Sequence, residues 1–170
     1  MTELVKIRLR TLVWAILPLL VLVLIPWLLL RHNTPGLFAW HWGLWQWLGA
    51  WLIINGVGLA AWCVNLFNVE GRGTPLPLDP PKRFVVSGPY RYVRNPMMLG
   101  AFLILAGEAA VFASSVLFLY MAVIMVLAHL FVRFWEEPDL ARRFGQAYLE
   151  YQRQVPRWIP RARPMARKRA

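Results

Sequence analysis

The sequence predicts an all-α membrane protein: four transmembrane helices, a short helical hairpin formed by the third and fourth, a Gly/Pro-rich cytosolic loop and a C-terminal amphipathic helix. Three observations carry this prediction. The 170 residues are 59% hydrophobic and 16% charged, whereas a soluble domain carries roughly 25% charged and about 45–50% apolar residues. Several runs long enough to cross a bilayer hold no charge. The formal net charge is +11, from 19 Lys and Arg against 8 Asp and Glu, and it sorts to one side of the membrane once the spans are drawn. Disorder is excluded, because it requires low hydrophobicity. A basic DNA-binding domain would not carry ten Trp between charge-free runs, so nucleic acid is not an expected partner. A lone cysteine, Cys63, excludes an internal disulfide framework and a cysteine-rich zinc site.

A spanning helix needs about 20 mostly apolar residues. Residues 11–30 supply them without a charge and include Pro18 and Pro26, which membrane helices tolerate. The basic start, with Lys6, Arg8 and Arg10, resembles that of a signal peptide. The apolar stretch is too long for one and no small-residue cleavage site follows, so an uncleaved first span is expected. From His32 to Trp42 the sequence reads as an outer loop with an aromatic interface belt. The second span is residues 44–67. Beyond Asn95 the next charge-poor stretch contains Glu108 and is divided by Ser114 and Ser115. Two halves of roughly 17 residues sit at the lower limit for spanning, which gives a tight hairpin of spans at 97–113 and 116–134.

Four spans place both termini on one side. All of the basic residues except Arg31 then fall on that side, which the positive-inside rule identifies as cytoplasmic. The expectation is a single integral membrane domain over residues 1–170, in the plasma (inner) membrane, with both termini in the cytoplasm. The oligomeric state is not readable.

Two segments lie outside the spans. Residues 68–96 are rich in Gly and Pro, and the prolines forbid a continuing helix. Loops this long are commonly functional or disordered; Phe84, Val85, Val86, Tyr90 and Tyr92 call for burial here. Residues 136–160 begin with acids and Pro138 in a first helical turn. Leu140, Phe144, Tyr148 and Tyr151 then share one face, as in an amphipathic helix at the membrane surface. The tail, residues 161–170, holds five basic residues and no acid, which suits attraction to anionic lipid.

No Rossmann fingerprint, P-loop, HExxH or serine-nucleophile motif is present, and His32, His41 and His129 lack metal-ligand spacing. His129 reads as a hydrogen-bonded bundle residue and Glu108 as a structural acid near the outer interface. The chemistry instead gathers at the cytosolic span ends. Arg91, Arg94 and Asn95 precede span three; Arg133, Glu136 and Glu137 follow span four. The hairpin must bring these ends together. Adjacent carboxylates there can accept hydrogen bonds and favour a bound cation, or they can simply form an interfacial salt-bridge cluster.

At these residues the sequence resembles a known superfamily. The ordered pattern is Gly71-x-Gly-Thr-Pro, then Gly88-Pro-Tyr-Arg-Tyr-Val-Arg-Asn-Pro96, then Glu136-Glu-Pro with Phe144-Gly, Tyr148 and Tyr151, then Val155-Pro-Arg-x-Ile-Pro160. It looks like the isoprenylcysteine carboxyl methyltransferase and phospholipid N-methyltransferase superfamily over about residues 66–160. The resemblance implies an integral membrane methyltransferase that uses S-adenosylmethionine and a lipid or lipid-modified acceptor. It makes residues 68–96 a cofactor loop. It places Tyr90, Arg94, Asn95, Pro96, Glu136, Glu137, Gly71 and Gly73 at the cofactor, with Glu137 and Arg133 as candidate catalytic groups and no metal. An amine acceptor would have to lose a proton, for which Glu137 is the candidate base. Met97-Met98-Leu99 stand where the family has a Tyr, and Arg133 is about one residue nearer the glutamates than the family's Arg. Two other classes remain open: an NAD(P)H-dependent membrane reductase of related fold, and a non-catalytic membrane adaptor.

Overall fold

A computed structural model describes residues 16–33, 43–71 and 84–166. Outside them lie the start of the expected first span, most of the outer loop with His41, residues 72–83 with Gly73, and the last four residues of the tail.

The described residues form helices, turns and extended connections, with no strand among them. Helix α1 covers residues 16–33, with a π turn at Leu20–Leu24. Helix α2 is Leu44–Leu66, prolonged by a π turn at Phe67–Gly71. A 3₁₀ turn at Gly88–Arg91 leads into α3, Pro96–Val111. Helix α4 is Ser115–Phe131 and continues through a π turn at Val132–Glu136 into α5, Glu137–Phe144; α6 is Gln146–Gln154.

Leu44–Gly71 and Ser115–Phe144 are long and apolar enough to cross a membrane, and Ile16–His32 and Pro96–Val111 are shorter apolar helices. Only 11% of the most apolar stretch of each long helix is buried inside the molecule. A soluble core helix would bury far more. Trp45, Trp47, Trp51 and Trp62 on α2 are all more than half exposed, as befits side chains in contact with lipid.

Helices α2 and α3 are held together by four glycines. Gly49 and Gly56 lie seven residues apart on α2, as do Gly100 and Gly107 on α3, so each pair shares a face. A Cβ at Gly49 would stand 2.6 Å from the Gly107 carbonyl oxygen, and one at Gly56 would stand 2.6 Å from that of Gly100. Such small residues let membrane helices approach backbone to backbone. Cys63, seven positions beyond Gly56, is fully buried on the same line.

The expected hairpin is present. Ala113 turns the chain with φ 45°, and the Ser114 hydroxyl accepts from the Leu117 N–H, which caps α4. The C-terminal amphipathic segment, expected as a helix closed by a cap at residues 155–160, is formed by two short helices, α5 and α6. Its first part continues α4. Pro138 cannot donate to the carbonyl four residues back, and the π turn absorbs this, with Glu137 N–H bonded to Val132 O. Gly145, at φ 53° and ψ −131°, then breaks the helix before α6.

Residues 155–165 run back as a strap over the 3₁₀ turn. The Arg94 N–H donates to Pro156 O at 2.9 Å, Arg161 N–H to Tyr92 O at 3.0 Å and Met165 N–H to Arg91 O at 3.0 Å. Trp158 on this strap donates to His129 Nδ1 at 2.9 Å, so His129 is a hydrogen-bonded residue as read from sequence.

Candidate functional site

Beneath the strap, at the charged end of α2, α3 and α4, lies a cavity of about 250 Å³. Two π turns border it. Phe67 lines it from the first, Trp135 and Glu136 from the second. A π turn inserts one residue into a helix and re-aims the side chains that follow. Here it turns Glu136 toward the cavity while Arg133 and Phe134 face outward.

The polar side is built around Glu137, which is buried. Arg94 Nη1 donates to Oε1 at 2.6 Å. Arg157 Nε donates to Oε1 at 2.8 Å and its Nη2 to Oε2 at 2.7 Å. Gln152 Nε2 donates to Oε2 at 3.1 Å. A carboxylate offers about four lone-pair sites, and all are engaged. Glu137 is thus held by Arg94, Arg157 and Gln152 together.

Glu136 is placed differently. Its Oε2 is buried without a hydrogen-bond partner, as is Arg94 Nε. One acceptor and one donor are thus left unmet in the same site. Burial, reinforced by the adjacent Glu137, pushes the Glu136 carboxyl up to about 7.

Aromatic side chains form the rest of the wall. Tyr90 meets Phe67 edge-on at 5.4 Å. Phe84 stands over Phe144, Tyr148 and Tyr151 at 5.2, 5.7 and 5.1 Å. The Tyr151 hydroxyl donates to Tyr90 O at 2.8 Å, which fixes the 3₁₀ turn against α6. An aromatic box with a carboxylate suits a cation, which is drawn to ring faces and to negative charge.

Of the expected site residues, Tyr90, Arg94, Asn95, Glu136 and Glu137 converge on this cavity. Asn95 also donates to Arg157 O at 3.2 Å. Pro96 is buried just behind it as the first residue of α3, and Gly71 is buried at the end of its π turn; neither lines the cavity. Arg133 does not join the site. It is exposed, with its guanidinium 5.7 Å from the Phe134 ring centre. Arg157 was not singled out from sequence, although it sits inside the Val155-Pro-Arg-x-Ile-Pro motif. Glu108 lies far along α3, and its Oε2 is buried without a partner.

Residues 44–147 match the phospholipid methyltransferase family. Methanethiol S-methyltransferase 2 of Bradyrhizobium diazoefficiens is 32% identical over 148 residues, which cover 74% of this chain and 54% of the relative. The chain thus spans about half the length of the curated relative it matches. No solved structure matches it.

Proposed function

The chain belongs to the phospholipid methyltransferase family, and we propose that it transfers a methyl group from S-adenosylmethionine to a lipid or lipid-modified acceptor at the cavity beneath the strap. The observation that carries this reading is the pair of unmet groups. Arg94 Nε and Glu136 Oε2 are buried, opposite in character and without partners. A ligand with both a carboxylate and a cationic centre would satisfy them together.

The cofactor, when bound, supplies a methyl group activated on a sulfonium. The residues do the rest. Arg94 holds a carboxylate through its free Nε. Tyr90 and the other rings surround a cation, and Glu136 offsets its charge. Asn95 and Pro96 flank Arg94 at the start of α3, and Gly71 and Gly73 would belong to the cofactor loop. Glu137 fixes the Arg94 guanidinium. Methyl transfer is an in-line displacement, so orientation supplies much of its acceleration. Phe131 and Trp135 line the cavity and are exposed on the apolar surface. They mark the side from which an apolar acceptor would arrive.

The same reading makes the chain one domain with four spans and both termini in the cytoplasm of the plasma (inner) membrane. A second acceptor class, a small alkyl thiol, is favoured by the name of the relative and by the apolar wall. Calorimetric titration with S-adenosylmethionine in lipid nanodiscs tests the reading. Saturable binding that Arg94→Ala weakens at least tenfold is expected; no binding by the wild-type protein overturns it. Labelled methyl transfer into a total membrane extract would then identify the acceptor class.

A further inference from the structure

The two adjacent glutamates differ in what surrounds them, and the difference bears on the acceptor. An amine or thiol acceptor carries a proton that it must shed when its heteroatom is methylated. Some group at the cavity has to take it.

Ionisable groups reach the surroundings of Glu136 from several elements. On its own helix, Glu137 is fully bonded to Arg94, Arg157 and Gln152. Asp139 is paired with Arg142 at 3.3 Å and Arg143 at 3.8 Å, near the cavity rim. From the loop before α3 comes Arg94, bonded to Glu137, and from the 3₁₀ turn comes Tyr90, whose phenol burial and then Cys63 hold well above its ordinary value. From α6 come Tyr148, pushed up to about 12 by burial, and Tyr151, also raised by burial. From the strap comes Arg157, committed to Glu137. Helix α2 contributes Phe67. Among the described residues that line the cavity, Glu136 alone combines a free buried oxygen with a protonation change near neutral pH.

We propose that Glu136, through Oε2, takes the acceptor's proton during methyl transfer, while Glu137 serves only to hold Arg94. This rests on the methyl-transfer reading above. In the step, a bond forms between the acceptor nitrogen or sulfur and the methyl carbon. The bond from that carbon to the sulfonium sulfur breaks, and its electron pair leaves the sulfur as a neutral thioether. The acceptor's proton passes to the Glu136 carboxylate and afterwards to water. A positive donor and a carboxylate thus become two neutral groups, which suits an enclosed aromatic site.

The test compares the wild-type protein with Glu136→Gln in nanodiscs by three measurements. Calorimetry reads S-adenosylmethionine affinity. Infrared titration reads the protonated-carboxyl band without turnover. Labelled methyl transfer is followed into methanethiol and into phosphatidylethanolamine. The expected result is transfer at saturating S-adenosylmethionine lowered roughly 100-fold or more at pH 7.5, the scale of general-base catalysis, over and above any loss of affinity. With methanethiol the deficit should shrink at higher pH, because the thiolate needs no base. The infrared band should be lost near pH 7 in wild type and be missing in Glu136→Gln. Absence of that wild-type change overturns the proposal, as does Glu136→Gln protein that binds the cofactor at least tenfold more weakly yet turns over at the wild-type rate when saturated. Wild-type protein that binds no S-adenosylmethionine overturns instead the reading on which the proposal rests.

Discussion

Arg94 and Glu137 stand 43 positions apart in the chain and meet at 2.6 Å, Nη1 to Oε1. Their side chains are 12% and 7% exposed. The contact joins the loop before α3 to the helix after α4. It completes the corner from which the cavity is built, and Arg157 closes it from the strap.

Breaking one side of this cluster should destabilise the protein rather than merely slow it. Removing a partner from a buried ion pair leaves an uncompensated charge, which costs about 3–5 kcal/mol. Arg157→Ala and Glu137→Gln are therefore expected to lower the thermal midpoint in detergent clearly. Asp139→Asn removes more exposed pairs and should shift stability by no more than about 1 kcal/mol. Equal effects from all three variants would contradict the buried-cluster account.

The glycine seam makes a sharper contrast. Gly56→Ala would set its Cβ 2.6 Å from the Gly100 carbonyl oxygen, a backbone atom that cannot rotate away. Overpacking of this kind costs roughly 1–3 kcal/mol. Gly58, two residues on, has nothing within 4 Å of an added Cβ. Gly58→Ala should leave stability unchanged or raise it by up to about 1 kcal/mol, the helix-propensity difference. Thermal unfolding of the two variants side by side checks this.

These positions show what the sequence makes legible. The hairpin was readable because Ser114 and Ser115 interrupt an apolar run, and the hairpin in turn implied that Arg94 and Glu137 meet. The division between Glu136 and Glu137 was not readable. It depends on a π turn, and the one-residue phase shift this makes falls after a helix that is apolar on most faces, where no polar stripe registers it. The reach of Arg157 was hidden for a related reason: it comes from a strap after a helix broken at Gly145, whereas the sequence reads residues 155–160 only as the cap that ends the amphipathic helix. The glycine seam was written plainly at seven-residue spacing on two helices, but single-helix patterns do not say which helices pair.

Gly145 is the point of that break. A φ of 53° with ψ −131° is a region open essentially to glycine, and other residues there cost of order 1–3 kcal/mol. Gly145→Ala should therefore lower the thermal midpoint although it meets no neighbouring atom. The strain would act on the angle between α5 and α6, which carries Tyr148 and Tyr151 into the cavity wall, so cofactor affinity should fall with stability. A loss of stability with unchanged affinity would show that the wall tolerates the shift.

Glu136 also predicts how stability should depend on pH without any ligand. Its folded-state carboxyl is raised to about 7, against an unfolded value of about 4.3. Below the unfolded value both states are protonated, and the group contributes its full relative stability. As pH rises from about 4.5 to 7, the unfolded chain releases this proton first, so the folded state loses ground through that window. The loss amounts to up to about 4 kcal/mol by linkage. Glu136→Gln cannot ionise and should remove this slope, becoming more stable than wild type at pH 8 and little different at pH 4. Arg94 and Glu137 remain paired in both proteins, so they should not mask the difference. Thermal midpoints of the two proteins across pH 4–8 measure it directly, and parallel curves would mean that the buried oxygen of Glu136 is satisfied in the free protein.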